Sequence, residues 1–270
     1  MTPRQVLLAW LLGPLVLLGA LALAARIAPG PERRFDGAPV VAIGSSLTMH
    51  AMPASFALSD GRRVRRIGIS VPSERQLLTL VESAIAERAR VVLLEAAPFV
   101  ADFAFEPQHG CTAPALGLRQ GLRRAQVDLV DRLRRLFGQR TSLDGLPDPR
   151  RLDRPQEIDP TVMATFYPLT LHAPCEGERL RELVTRAKAQ GTRIELLALP
   201  RSPYGEERLG RVQSDGLGQL TEAMAADLGV PLLPAAKLWT NEEFTDHAHL
   251  NARGRERYLR DLDVWLVGLE

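Results

Sequence analysis

A three-layer α/β/α sandwich on a mainly parallel sheet is the fold class this sequence predicts, and three observations predict it. Short uninterrupted apolar runs such as "VVAIG" and "VVLLE" alternate with stretches whose apolar residues recur at helical spacing. The runs pass into Gly, Pro or small polar residues, as buried strands do where they enter loops. With 270 residues, 46% of them hydrophobic and 24% charged, the chain can bury one sizeable core and carry an insertion. Strands that alternate with helices need crossover connections, so they lie parallel with helices on both faces.

The first strand is read in "APVVAIGSSLT", after a tether at residues 29–37 whose Pro, Gly and charge carry no apolar periodicity. A turn at Asp60-Gly61 precedes a second run, "VRRIGIS". The spacing then predicts a helix from Ser73 to Arg88 with Leu77, Leu80, Val81, Ala84 and Ile85 on one face, and "RVVLLEAAP" as the third buried strand. The alternation resumes with a helix from Glu178 to Gln190 stopped by Gly191, and the strand "RIELLALP". A helix from Gly210 to Leu228 stopped by Gly229, the run "VPLLPA" and a last helix from Ala252 to Leu266 complete it. Residues 105–175 break this rhythm with one amphipathic stretch and a loop rich in Pro, Asp and Arg. They are read as an insertion into a domain spanning 38–270, close enough to the strand ends to shape a binding cleft.

Ahead of the domain, Val6 to Ala25 runs for about twenty residues without a charge and comes just after Arg4. At ~1.5 Å per residue that length matches a hydrocarbon core of ~30 Å. Residues 1–28 are therefore expected to form a transmembrane anchor, with a cleavable signal segment as the alternative. Either reading places the chain beyond Arg26 in the periplasm or another extracytoplasmic space. Cys111 and Cys175 suit such a space: a disulfide between them would close a loop of about 65 residues and contribute about 3–4 kcal/mol. Two free buried thiols are the alternative. A formal charge of +2, with Arg scattered among Glu and Asp, gives no basic block for a nucleic-acid partner.

The chemistry begins in "FTDHAHLNARGRERY", where Asp246 and His249 sit three apart in a polar turn before the last helix. A carboxylate beside an imidazole holds one tautomer and stabilises the imidazolium, which is how a hydroxyl nucleophile is activated. Ligands of parallel α/β sheets bind at the carboxyl ends of strands, so the serines after the first strand, in "AIGSSLTMH", are the ones to weigh. "GSSL" at the start of the domain and "DHAH" with "LN" after it, before the last helix, resemble the first and last blocks of the SGNH (GDSL) hydrolases. The resemblance covers residues 38–104 and 176–270. It implies a flavodoxin-like α/β/α topology and ester hydrolysis or acyl transfer without a cofactor. Ser46 would be the nucleophile, His249 the general base and Asp246 the carboxylate that orients it.

Two departures from that pattern stand out. Ser45 takes the place of an aspartate, and Ala97 that of an asparagine that would donate to an oxyanion. The backbone N–H groups of Ser46, Gly68 and Val71 are the oxyanion-hole candidates, with Ser45, Glu95 or the insertion as sources of the missing donor. Glu95 and Arg201, both near predicted strand ends, are the substrate-contact candidates. Arg201 suits an anionic group, and a surface ion pair is the competing reading. His247 beside His249 and Asp246 lacks further ligands for a closed metal site, so no metal is expected. His50, His109 and His172 are read as solvated or structural, and Trp239 as core packing. An exported, membrane-anchored chain of this kind is also similar to proteins that O-acylate cell-envelope polymers. That likeness implies an acylated glycan or small ester as substrate and a membrane-bound O-acyltransferase as partner. A non-catalytic glycan-binding or scaffolding subunit of the same fold is the competing class.

Overall fold

The computed structural model describes residues 35–69, 72–102, 167–233 and 238–268. All of them belong to one of the chain's two compact units, 33–115 with 142–270. The expected anchor, most of the tether and of the insertion, Val71, His109 and Cys111 lie outside the described residues.

Strand β1 (Val40–Gly44) runs into the short helix α1 (Ser46–Ala51), after which come β2 (Ser55–Ala57) and β3 (Arg63–Gly68). Helix α2 (Glu74–Ala86) starts where the pattern places it because Ser73 and Gln76 form a capping box that satisfies two backbone donors. Strand β4 (Val91–Glu95) leads through a 3₁₀ turn at Ala97–Phe99 to β5 (Ala101–Asp102). The chain then supplies β6 (Thr170–Leu171), α3 (Gly177–Ala189), β7 (Arg193–Leu197), α4 (Pro203–Leu228) and β8 (Leu232–Leu233). A second 3₁₀ turn at Asn241–Glu243 leads to α5 (Ala252–Gly268).

The main sheet has the order β2-β3-β1-β4-β7-β8, parallel throughout except for β2. Both faces are buried, as the uninterrupted apolar runs require. Val41, Ile43, Val92, Leu94, Ile194 and Leu196 face α2, α3 and α4. Val40, Ala42, Val91 and Leu93, one residue out of phase, face α1 and α5. Residues such as Leu77, Leu94 and Leu262 are fully buried, so the three layers enclose a core on each side of the sheet.

Three features go beyond the sequence reading. The Asp60-Gly61 turn closes a hairpin, with Leu58 N–H donating to Arg62 O at 2.9 Å and Gly61 at φ 84°, and so adds the antiparallel edge strand β2. Helix α4 begins at Pro203, not Gly210, because Ser202 caps it and Pro203 fits the first turn. Gly210 is instead a kink inside it, at φ 72° and ψ 156°. Lastly, β5 and β6 pair antiparallel, Asp102 opposite Thr170, so the chain departs for the middle segment and returns from it at neighbouring points.

Candidate active site

Two segments from opposite ends of the domain converge at the carboxyl edge of the sheet. After β1, Ser45 caps α1 and Ser46 opens that helix. The second segment is a turn closed by its own backbone: Phe244 bridges Leu250, and Thr245 N–H donates to His249 O at 2.8 Å. Asn251 ties the turn to α5, accepting from Gly254 N–H at 3.0 Å while its amide donates to Glu242 O at 2.6 Å.

Within the turn, Asp246 Oδ1 accepts from the N–H groups of Ala248 (2.9 Å) and His249 (2.8 Å). Its Oδ2 accepts a hydrogen bond from Nδ1–H of His249 at 2.7 Å. That bond fixes the tautomer, leaving Nε2 as the acceptor that lies 2.9 Å from Ser46 Oγ. Burial opposes the charged form of Asp246, but the hydrogen bond and electrostatic attraction from His249 and the two N–H groups outweigh it and hold its carboxyl well below the usual range. The side chains of His249 and Asp246 are 21% and 31% exposed, so the pair is not sealed from solvent. Ser46, His249 and Asp246, which the sequence reading singled out, are thus brought together in the order needed for general-base activation of a hydroxyl.

The other candidates are placed differently. Glu95 does not face a cleft: it is 1% exposed and turned toward the nucleophile turn. Its Oε2 accepts from Ser45 N–H (2.6 Å) and Thr48 Oγ1 (2.6 Å), and its Oε1 from Ser45 Oγ (2.7 Å). This corrects the reading of Glu95 as a substrate contact. It also removes Ser45 as an oxyanion donor, because both its N–H and its hydroxyl are committed to Glu95. Gly68 lies beside Gly44 in the β1–β3 register, where a Cβ would come within 2.1 Å of Met49 and 3.1 Å of Ser45 O. It therefore allows α1 to pack tightly on the sheet. Arg201 is half-buried, and its charge acts on Tyr167 and His247. The segment after it is locked to the catalytic turn, since Ser202 N–H and Oγ both donate to His247 O, at 3.1 and 2.9 Å.

Sequence reasoning underrated three neighbours. The His50 ring packs on His249 with centroids 4.4 Å apart. Burial, and then the nearby His249, push the His50 imidazole down to about 4. The signal was available: on a helix that begins at Ser46, residue 50 is one turn on and shares its face. Tyr167 meets His247 edge-on at 5.5 Å, and burial pushes its hydroxyl up to about 12. His247 is itself buried, which lowers its basicity against the opposing pull of Asp246. Elsewhere Glu74, His172 and Cys175 cluster. Cys175 is not a free thiol, and Glu74 spends both oxygens on the N–H groups of Cys175 (3.0 Å) and Glu176 (2.8 Å), at the start of α3.

The fold and the site together define an α/β protein with a serine–histidine–aspartate triad. No family model matches the chain, and no curated protein matches it by sequence. Among solved structures it is similar to a protein named TesA, at 15% identity and TM-score 0.40, covering 84% of this chain and 96% of that one. A GDSL-like lipase from Bacteroides thetaiotaomicron is similar at 13% identity and TM-score 0.38, with 92% and 95% covered. An acetylxylan esterase from Geobacillus stearothermophilus is similar at 14% identity and TM-score 0.43, with 86% and 94% covered. The chemistry of this site rests on its own geometry, not on those likenesses.

Proposed function

We propose that the protein is an SGNH-type serine esterase or O-acyltransferase that works through an acyl-Ser46 intermediate. One observation carries this reading: the continuous chain from Ser46 Oγ through His249 to Asp246, with contacts of 2.9 and 2.7 Å. His249 Nε2 takes the Ser46 proton as Oγ bonds to the ester carbonyl carbon, and it returns that proton to the departing alkoxide oxygen. Water or a sugar hydroxyl, deprotonated in turn by His249, then bonds to the acyl carbon; the bond from that carbon to Ser46 Oγ breaks and His249 returns the proton to Oγ. With Ser45 and Glu95 engaged elsewhere, the Ser46 N–H is the oxyanion donor proposed from the described residues, alongside the backbone N–H of Val71.

The proposed setting is extracytoplasmic and membrane-anchored, a reading supported by the uncharged stretch from Val6 to Ala25. The substrate class proposed with it is an acyl ester of a cell-envelope or exopolysaccharide glycan, with a membrane-bound O-acyltransferase as partner. A second reading is favoured by Ala97 and by the commitment of Ser45 to Glu95, which leave the site short of side-chain oxyanion donors. It is a non-catalytic glycan-binding or scaffolding subunit. Intact-mass analysis after treatment with a fluorophosphonate separates the two. A single adduct, absent from Ser46→Ala and His249→Ala, supports the enzyme; a folded protein that never takes an adduct supports the subunit.

A further inference from the structure

The nucleophile turn depends on a side chain fifty residues away in sequence. Glu95 ends β4, which lies parallel to β1 and brings this residue beside Gly44. Its carboxyl group gathers three short hydrogen bonds, two from Ser45 and one from Thr48, with nothing between it and the turn that presents Ser46. The surroundings are shaped to admit it. A Cβ on Gly44 would fall 2.4 Å from Glu95 Oε2 and 2.0 Å from Thr48 Oγ1, so position 44 must be bare for the carboxyl to reach Ser45. Thr48 is fully buried, and Ser45 passes the contact on by accepting from Leu47 N–H at 3.1 Å. The Glu95 charge is also felt by buried Tyr258 of α5, the helix that comes after the His249 turn. Burial raises its hydroxyl, and the Glu95 charge raises it further.

A buried carboxyl that makes its hydrogen bonds to one turn fixes that turn's position as well as its stability. We propose that Glu95 is the positioning residue for the nucleophile, setting the placement of Ser46 Oγ relative to His249 Nε2 without touching substrate. This rests on the reading of Ser46 as nucleophile. A displacement of the order of 1 Å at a reacting atom costs about 100-fold in rate. Gln at position 95 keeps the volume but puts an amide N–H₂ where one carboxylate oxygen accepts, so either the Ser45 hydroxyl must turn round to accept from it or Ser45 N–H and Thr48 lose their acceptor, and in both cases the charge that draws the three donors together is gone.

The test uses the full chain and the second-order rate of fluorophosphonate labelling at Ser46, measured from pH 5 to 9 with the thermal midpoint recorded beside it. Glu95→Gln is expected to lower the plateau rate about 10- to 100-fold. The pH midpoint should stay in place, because the Asp246–His249 pair is untouched, and the thermal transition should remain cooperative. Thr48→Val, which removes one donor at nearly constant shape, is expected to lower the plateau less, and it is the deciding variant if Glu95→Gln does not fold. A plateau equal to wild type in either folded variant overturns the inference. So does a drop accompanied by a moved pH midpoint, which would mean that the whole site had deformed. Wild-type protein that never labels overturns the nucleophile reading and this inference together, so the two failures are told apart.

Discussion

The two halves of the triad are held in opposite ways. The turn that carries Asp246 and His249 is self-contained: its carboxylate accepts from the N–H groups two and three residues on, and its ends bridge each other between Phe244 and Leu250. The turn that carries Ser46 borrows its support from Glu95 on a neighbouring strand. A locally closed turn can be recognised from a few consecutive residues. One braced from a distance cannot, although its geometry is no less constrained.

The substitutions that break this comparison can be ranked. The largest effect belongs to the reacting atoms: Ser46→Ala should leave no labelled site, and His249→Ala should slow labelling by roughly 10⁴-fold or more, with both proteins folded. Asp246→Asn comes next, because the amide cannot hold the same His249 tautomer; a loss of about 10⁴-fold in turnover is expected, with ester hydrolysis as the measurement. The same variant reports on acid stability. In the wild type a depressed Asp246 carboxyl contributes stability above pH ~4 that is lost as pH falls through its folded value, so the acid limb of a denaturation series should be flatter in Asp246→Asn.

Ser45→Asp tests the distant brace. It sets a second carboxylate against Glu95 in a buried place, and a loss of more than about 2 kcal/mol in chemical denaturation is expected, recovered in part by adding Glu95→Gln. A neutral outcome would show that the turn tolerates charge and is less tightly held than its hydrogen bonds imply. The smallest effect on the reaction itself is placed at His50. Its folded value of about 4 lies below the unfolded ~6.5, so the unfolded chain binds the proton first and stability declines as pH falls from about 6.5 to about 4. His50→Phe keeps an aromatic ring on His249 and removes that titration. Its thermal midpoint should therefore drop less than wild type over the same interval, by roughly 10 °C.

The layers were legible in the sequence because apolar runs with buried strands' length and helical stretches with one apolar face arise directly from burial on both sides of a sheet. The triad was legible because each of its parts sits in a short local pattern at a predictable place, after the first strand and before the last helix. The role of Glu95 was not. A Glu at the end of an apolar strand reads as a group entering a cleft, and only the register of β4 against β1 turns it inward toward Ser45. His50 was missed for a nearer reason: helix α1 is six residues long, too short to announce itself by periodicity, so the shared face of residues 46 and 50 went unread. The start of α4 was hidden by Gly210, a residue that reads as the beginning of a helix and instead bends one.

The pairing of Asp102 with Thr170 has a consequence for how this chain can be altered. Opposed residues of an antiparallel pair lie about 5 Å apart, a gap that a two-residue turn spans. A chain running from Asp102 through Asn-Gly directly to Thr170 would close a hairpin where the natural one makes its excursion, and the entropy cost of closing the loop would fall with the logarithm of its length. Such a shortened protein would lose Tyr167 from beside His247 and the buried Leu169 with its hydrogen bonds to Gln213, so the Ser46–His249–Asp246 contacts would have to stand without them. It would be a module into which other excursions could be spliced at the pairing of Asp102 with Thr170.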